Sequence, residues 1–338
     1  MLHRDRLVAR TGPVDESVAF GPGSEYLRER FFMKANIDDV MPYRLTIQPL
    51  TGGSAPVEVP VPTADPREGL TSAVMNDRWV VWQTSTSTES SYPWRMYLYD
   101  RQAGRTTAVA QAPDLGGIIP EDGTGVALDG DLLAWAQIDR GAPRNRVDVY
   151  SCLLPRCVPR LTARNAFSPR VSDGTVYVVT TTSPKRGAPD QPDRVVSVAA
   201  DGARTVELAR HQPRDGTITG LAVADGYAVV TTNSVPDAAI VLNLATRETH
   251  TFISAKAGAL GYPEAGDGFV TFGELSGPAG PDVGNYLWLT HERKLFTVGN
   301  MRGLYGISVG GRMVSWLERP TGAKGPTPAS VSVLARLK

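Results

Sequence analysis

The chain is poor in the residues from which most catalytic and cofactor sites are built. Four histidines (His3, His211, His250, His291) and two cysteines occur in 338 residues. The histidines are far apart in sequence, so a His-rich metal lyase site is not expected. No phosphate-binding Gly-x-x-x-x-Gly-Lys loop, no His-Glu-x-x-His segment and no dinucleotide fingerprint is present. No cofactor or metal is therefore expected. One literal Gly-x-Ser-x-Gly match, around Ser308, leads into a β turn. A nucleophile elbow needs a strand-to-helix turn there, so Ser308 is not read as a nucleophile.

Charge of one sign is also lacking. The 35 basic residues balance 35 acidic ones, with no long basic run, which excludes a broad nucleic-acid footprint. No run of 18 apolar residues exists, so no membrane-spanning helix is expected. The segment Met1-Leu2-His3-Arg4-Asp5-Arg6 has no apolar stretch of the kind an export signal carries. No stretch of twelve residues shows a helical period.

Turns are plentiful, with 34 Gly and 26 Pro scattered between short apolar runs, the pattern of many short strands. Six copies of one shape recur at intervals of about 40 to 50 residues, the period of a propeller blade. They begin at Asn76-Asp77-Arg78, Asp129-Gly130-Asp131, Ser172-Asp173-Gly174, Ala224-Asp225-Gly226, Gly266-Asp267-Gly268 and Gly310-Gly311-Arg312. Each turn tolerates positive φ and runs into an apolar, β-branched strand. The fourth residue of those strands reads Trp82, Trp135, Val178, Val230, Phe272 and Trp316.

A first strand precedes each turn, at 71–75, 125–128, 169–171, 219–223, 259–262 and 305–309. Third strands follow a loop, and fourth strands follow a second turn in five of the units. A weaker unit precedes these, with strands at 17–20, 30–35, 43–50 and 57–61, which makes seven. The seventh repeat ends after its third strand, and the segment Asp5-Arg6-Leu7-Val8-Ala9-Arg10 has no other partner. The expected architecture is all-β: seven four-stranded antiparallel blades in one domain over 1–338. Residues 3–10 complete the last blade and close the ring. The chain resembles seven-bladed β-propellers of the TolB-like or WD40-like secreted bacterial type. The Gly-His and Trp-Asp dipeptides of true WD40 repeats are absent. A monomer is expected.

Cys152 and Cys157 bracket a four-residue turn containing Pro155, within bridging distance in a hairpin. The expected disulfide argues for an oxidising compartment. The chain is then extracytoplasmic or secreted, its export signal absent from this sequence; the alternative is a cytoplasmic protein.

Connections from second to third strands are long and rich in Pro and Gly (36–42, 84–94, 138–145, 181–193, 233–237, 274–284, 318–329), whereas the turns at the other end are short. Function concentrates on such loops. Candidate binding residues are Glu89, Tyr92, Trp94, Arg95, Asp139, Arg140, Arg144, Asp190, Asp193, Asp282 and Arg319, a mix suited to a protein, glycan or polar small-molecule partner. Trp94 has a second reading as the first core residue of its strand. Glu274 and Glu318, two positions past the fourth-residue column in neighbouring repeats, are candidate acid–base carboxylates. The expected function is a binding module presenting its long-loop face. The alternative is a lyase, hydrolase or cyclase with its site at the channel mouth.

Overall fold

A computed structural model of the chain describes residues 7–11, 15–21, 25–31, 43–49, 55–62, 69–85, 94–111, 125–138, 147–181, 193–200, 202, 204–211, 216–234, 236–253, 260–274, 285–298, 308–318 and 331–337. These form 28 strands in seven four-stranded antiparallel sheets. The first holds β2 (Asp15–Gly21), β3 (Glu25–Phe31), β4 (Tyr43–Pro49) and β5 (Val57–Val59). The second holds β6 (Gly69–Met75), β7 (Trp79–Ser85), β8 (Trp94–Asp100) and β9 (Arg105–Gln111). The third holds β10 (Val126–Asp129), β11 (Leu132–Ile138), β12 (Val147–Leu153) and β13 (Arg160–Ala163). The fourth holds β14 (Ala166–Ser172), β15 (Thr175–Thr180), β16 (Asp193–Ala199) and β17 (Thr205–His211).

The fifth sheet holds β18 (Ile218–Ala224), β19 (Tyr227–Thr232), β20 (Ala238–Asn243) and β21 (Thr249–Ile253). The sixth holds β22 (Leu260–Gly266), β23 (Phe269–Glu274), β24 (Asn285–Leu289) and β25 (Lys294–Val298). The seventh is assembled from both ends of the sequence: β26 (Ser308–Gly310), β27 (Met313–Glu318), β28 (Val331–Arg336), and β1 (Leu7–Thr11) on the outside. Leu7 lies opposite Ala335 and Thr11 opposite Ser332. Residues 3–6, also expected in that strand, lie outside the described residues. The chain divides into two compact units, one of Met1–Tyr26, Pro49–Ser54 and Asp215–Lys338, the other of Leu27–Gln48 and Ala55–Arg214.

The short turns have legible causes. Asn76 Oδ1 accepts from the N–H of Arg78 (2.9 Å) and of Trp79 (2.8 Å), an Asx turn that needs no glycine. Asp173-Gly174 and Asp225-Gly226 have φ of 50° and 67°, and 47° and 73°, as a two-residue type I′ hairpin requires. The strand after each turn is buried: Trp79, Val80, Val81 and Trp82 are all at 0 % exposure.

Side chains from facing sheets fill the space between them. Trp79, Val81, Met96 and Leu98 meet Val126, Leu133 and Trp135 between the second and third sheets. Val229, Val241 and Leu260 meet Phe272 and Trp288 between the fifth and sixth. Each large side chain so buried stabilises by roughly 1.5–3 kcal/mol. Polar ties join successive turns: Trp79 Nε1 donates to Asp131 Oδ1 (2.6 Å), and the Asp173 N–H to Asp129 Oδ2 (2.7 Å). In the other unit the Asp267 N–H donates to the Gly311 carbonyl at 2.7 Å.

That last tie places Asp267 where its charge is unwelcome. Burial first, and the nearby Asp225 charge second, raise its pKa above the ordinary 3.8, against a smaller opposing pull from Arg312. A raised carboxyl pKa favours the protonated form in the fold, so stability is fully present at low pH and lost as pH rises through the folded value. Asp267→Asn is expected to raise the melting temperature at pH 7 and to leave it unchanged near pH 3. An equal gain at both pH values in a thermal melt refutes this account.

The first strands differ from the expected ones. Those of the second, fourth, fifth and sixth sheets carry register shifts near the end where they enter the sheet, at Leu70/Ser72, Phe167/Arg170, Ile218/Gly220 and Gly261/Glu264. The strand expected at 259–262 runs on to Gly266, because Tyr262-Pro263 is absorbed as a bulge with Tyr262 at φ 50°. In the first sheet the second strand is Glu25–Phe31, not 30–35.

Candidate functional site

Second strands end and third strands begin at the same end of each sheet, where the long connections leave. Cross-strand pairs there form a polar tier in three successive sheets: Thr84 opposite Arg95, Gln137 opposite Asp148, and Thr180 opposite Arg194. Part of it is structural. Gln137 Oε1 accepts from Trp135 Nε1 at 2.9 Å. Asp148, at 0 % exposure, accepts the Asn165 N–H at 2.9 Å, and the Asn165 carbonyl accepts the Thr181 N–H at 2.9 Å. A buried carboxylate thus fixes the link between the third and fourth sheets, with Asn165 at φ 48°.

In the fifth sheet the corresponding end is also tied down. Asn233 Oδ1 accepts from Thr217 N (2.6 Å) and Thr217 Oγ1 (3.0 Å), and Thr232 Oγ1 lies 2.7 Å from Ser234 Oγ. Asp237 sits beyond this clasp, its carboxyl raised above the usual range by burial.

The expected site residues separate into three groups. Glu89, Tyr92, Asp139, Arg140, Arg144, Asp190, Asp282 and Arg319 lie outside the described residues. Trp94 is 4 % exposed and packs with Trp79 and Met96. Arg95 is half-buried opposite Thr84, and Asp193 is 4 % exposed opposite His211. Glu274 and Glu318 close β23 and β27, second strands of consecutive sheets in one unit. Cys152 and Cys157 form the expected disulfide, with Cα atoms 4.8 Å apart.

Among the described residues, no three His, Cys, Asp or Glu side chains converge as metal ligands would. No described helix is long and apolar enough to cross a membrane. Glu207 and Arg210 are not among the expected site residues, yet both meet Arg194 in the fourth sheet. Their grouping with Arg194 depends on strand register, which leaves no mark on the sequence.

No family model matches the chain, and no curated protein matches it. Solved structures do. The β-propeller domain of the trilobed protease from Pyrococcus furiosus is 9% identical over 96% of this chain and 97% of that one, with a TM-score of 0.62. An oligogalacturonate lyase in complex with manganese is 11% identical over 93% and 86% (TM-score 0.59). An oligogalacturonate lyase from Vibrio parahaemolyticus is 12% identical over 97% and 91% (TM-score 0.56). At these identities the likeness shows the fold alone, a β-propeller. The Pyrococcus domain is described as having an open Velcro topology, whereas here β1 is paired to β28.

Proposed function

We propose that this β-propeller is a binding module that presents its long-loop face to a protein or glycan partner. The observation that carries the reading is the asymmetry of the connections. At one end of the sheets, two- or three-residue turns join first to second strands, and connections of four to six residues join third to fourth strands in the second, third, fifth and sixth sheets. At the other end, connections such as 86–93, 139–146 and 182–192 leave buried strand ends at Ser85, Trp94 and Asp193. Rigid strand ends holding long loops rich in Pro and Gly, with Tyr92, Asp139, Arg140, Arg144 and Asp190 among their side chains, favour recognition. The sheets are further inferred to be seven blades of one domain over 1–338, its ring closed by the N-terminal strand. The Cys152–Cys157 disulfide supports an extracytoplasmic setting.

The test is a glycan array and a proximity-labelling screen in the source cell, each run with the intact chain and with Tyr92→Ala, Arg140→Ala and Asp190→Ala combined. A partner kept by the intact chain and lost by the triple variant, at unchanged melting temperature, is expected. Equal binding by both overturns the assignment to these loops.

An enzymatic reading rests on one observation: Glu274 and Glu318 occupy equivalent last positions in consecutive second strands. Turnover of an array glycan, abolished by Glu274→Gln or Glu318→Gln, would put catalysis in place of simple binding.

A further inference from the structure

The fourth sheet carries an unusual pairing at its long-loop end. Arg194 of β16 lies directly opposite Arg210 of β17. Like charges so placed repel unless something lies between them. One carboxylate does. Glu207 takes two hydrogen bonds from Arg210, at 2.9 Å from Nε and 3.1 Å from Nη2. That contact with Arg210 holds the Glu207 carboxyl below its ordinary range.

Arg194 is left short. Its Nε is 3.6 Å from Glu207 Oε2, beyond hydrogen-bond reach, and that N–H is buried without an acceptor. Asp193 and His211, one residue from Arg194 and Arg210, belong to the opposite face by strand alternation. On this face, two arginines stand against one glutamate.

β17 also ends the order of its sheet, and at seven residues it is a long outer strand. Such an edge accepts an extended peptide as an added strand. We infer that β17 takes up an extended acidic segment of a partner protein as a fifth strand, with one of its carboxylates competing with Glu207 for Arg210 and Arg194. A peptide fits better than an acidic glycan because a strand edge reads a peptide backbone, while the arginines read the acid. The inference rests on the long-loop face being a binding face, and names the chemistry of the partner.

The test is fluorescence anisotropy of the intact chain with a labelled octapeptide of alternating Glu and Thr, and with its Lys-Thr counterpart. Binding of the acidic peptide alone is expected, weakening as salt rises. Arg194→Gln and Arg210→Gln should each weaken it about tenfold or more, as loss of a charge-assisted hydrogen bond implies. Glu207→Gln should strengthen it, by releasing Arg210. A purely structural Glu207 would lower the melting temperature without tightening binding. Arg210→Lys, which keeps the charge, guards against loss through misfolding.

Equal binding of both peptides, or an acidic peptide indifferent to Arg194 and Arg210, overturns the site. Oligogalacturonate binding with the same arginine dependence, while the peptide does not bind, overturns the peptide in favour of a glycan. A natural partner held equally by wild type and by the double Arg194→Gln, Arg210→Gln variant leaves the binding face standing and removes this site.

Discussion

Gly310→Ala is expected to cost about 3 kcal/mol, the upper end of what overpacking a filled interior usually costs. Gly310 ends β26, and a Cβ built there would lie 2.4 Å from Phe20 Cβ, 2.7 Å from the Phe20 carbonyl oxygen and 3.1 Å from its carbon. Two of these three atoms are backbone, so no rotamer change relieves the contact. Either β26 or β2 must move, and both lie in the same compact unit. The melting temperature should fall by about 5 to 10 °C, at a few degrees per kcal/mol. Gly130→Ala is the control. It has φ 54° but nothing within 4 Å of the new Cβ. The strain of placing Ala there is about 1 kcal/mol. Melts in which Gly310→Ala loses no more than Gly130→Ala refute the close approach of β26 to β2.

That glycine also shows what a single sequence conceals. Gly310 and Gly311 read alike as turn residues, yet Gly311 is needed for its φ of 56° and Gly310 for the backbone across from it. Close approach is a property of two segments, and only one is in view when a repeat is read along the chain. Gly220 makes the same point. A Cβ there would lie 2.6 Å from Pro263 Cδ, and Pro263 is the residue that made β22 look broken. Proline reads as a strand terminator because it cannot donate to a ladder. It is tolerated here on a bulge, its ring filling space left by a glycine in the neighbouring sheet.

What was legible is local. The Asx turn at Asn76, the Asp-Gly hairpins and the apolar column from Trp82 to Trp316 each follow from residue chemistry over a few positions. All six column residues are buried. Trp94 could be read both ways, since an aromatic at a loop–strand junction serves either core or ligand until its neighbours are known. The Arg194–Arg210 pair was not legible, because one-residue shifts in β16 and β17 would separate the two side chains.

Removal of residues 3–11 is the second large effect. β1 contributes its ladder to β28 through Leu7, Ala9, Arg10 and Thr11, opposite Ala335, Leu334, Val333 and Ser332. Each backbone hydrogen bond contributes about 1 kcal/mol net, so losing this ladder costs several kcal/mol before any side-chain contact is counted. The truncation also bares β28, a six-residue strand, as a new sheet edge. Unpaired edges recruit other chains, so the truncated protein should melt about 10 °C lower and self-associate as its concentration rises. A synthetic peptide of residues 3–11 added in trans should restore both properties, since the register with β28 is carried by backbone pairing and not by the covalent link to β2. An unchanged melting temperature after truncation would remove β1 from the stability of the seventh sheet. Loss of stability without rescue by the peptide would assign its effect to the connection into β2 instead.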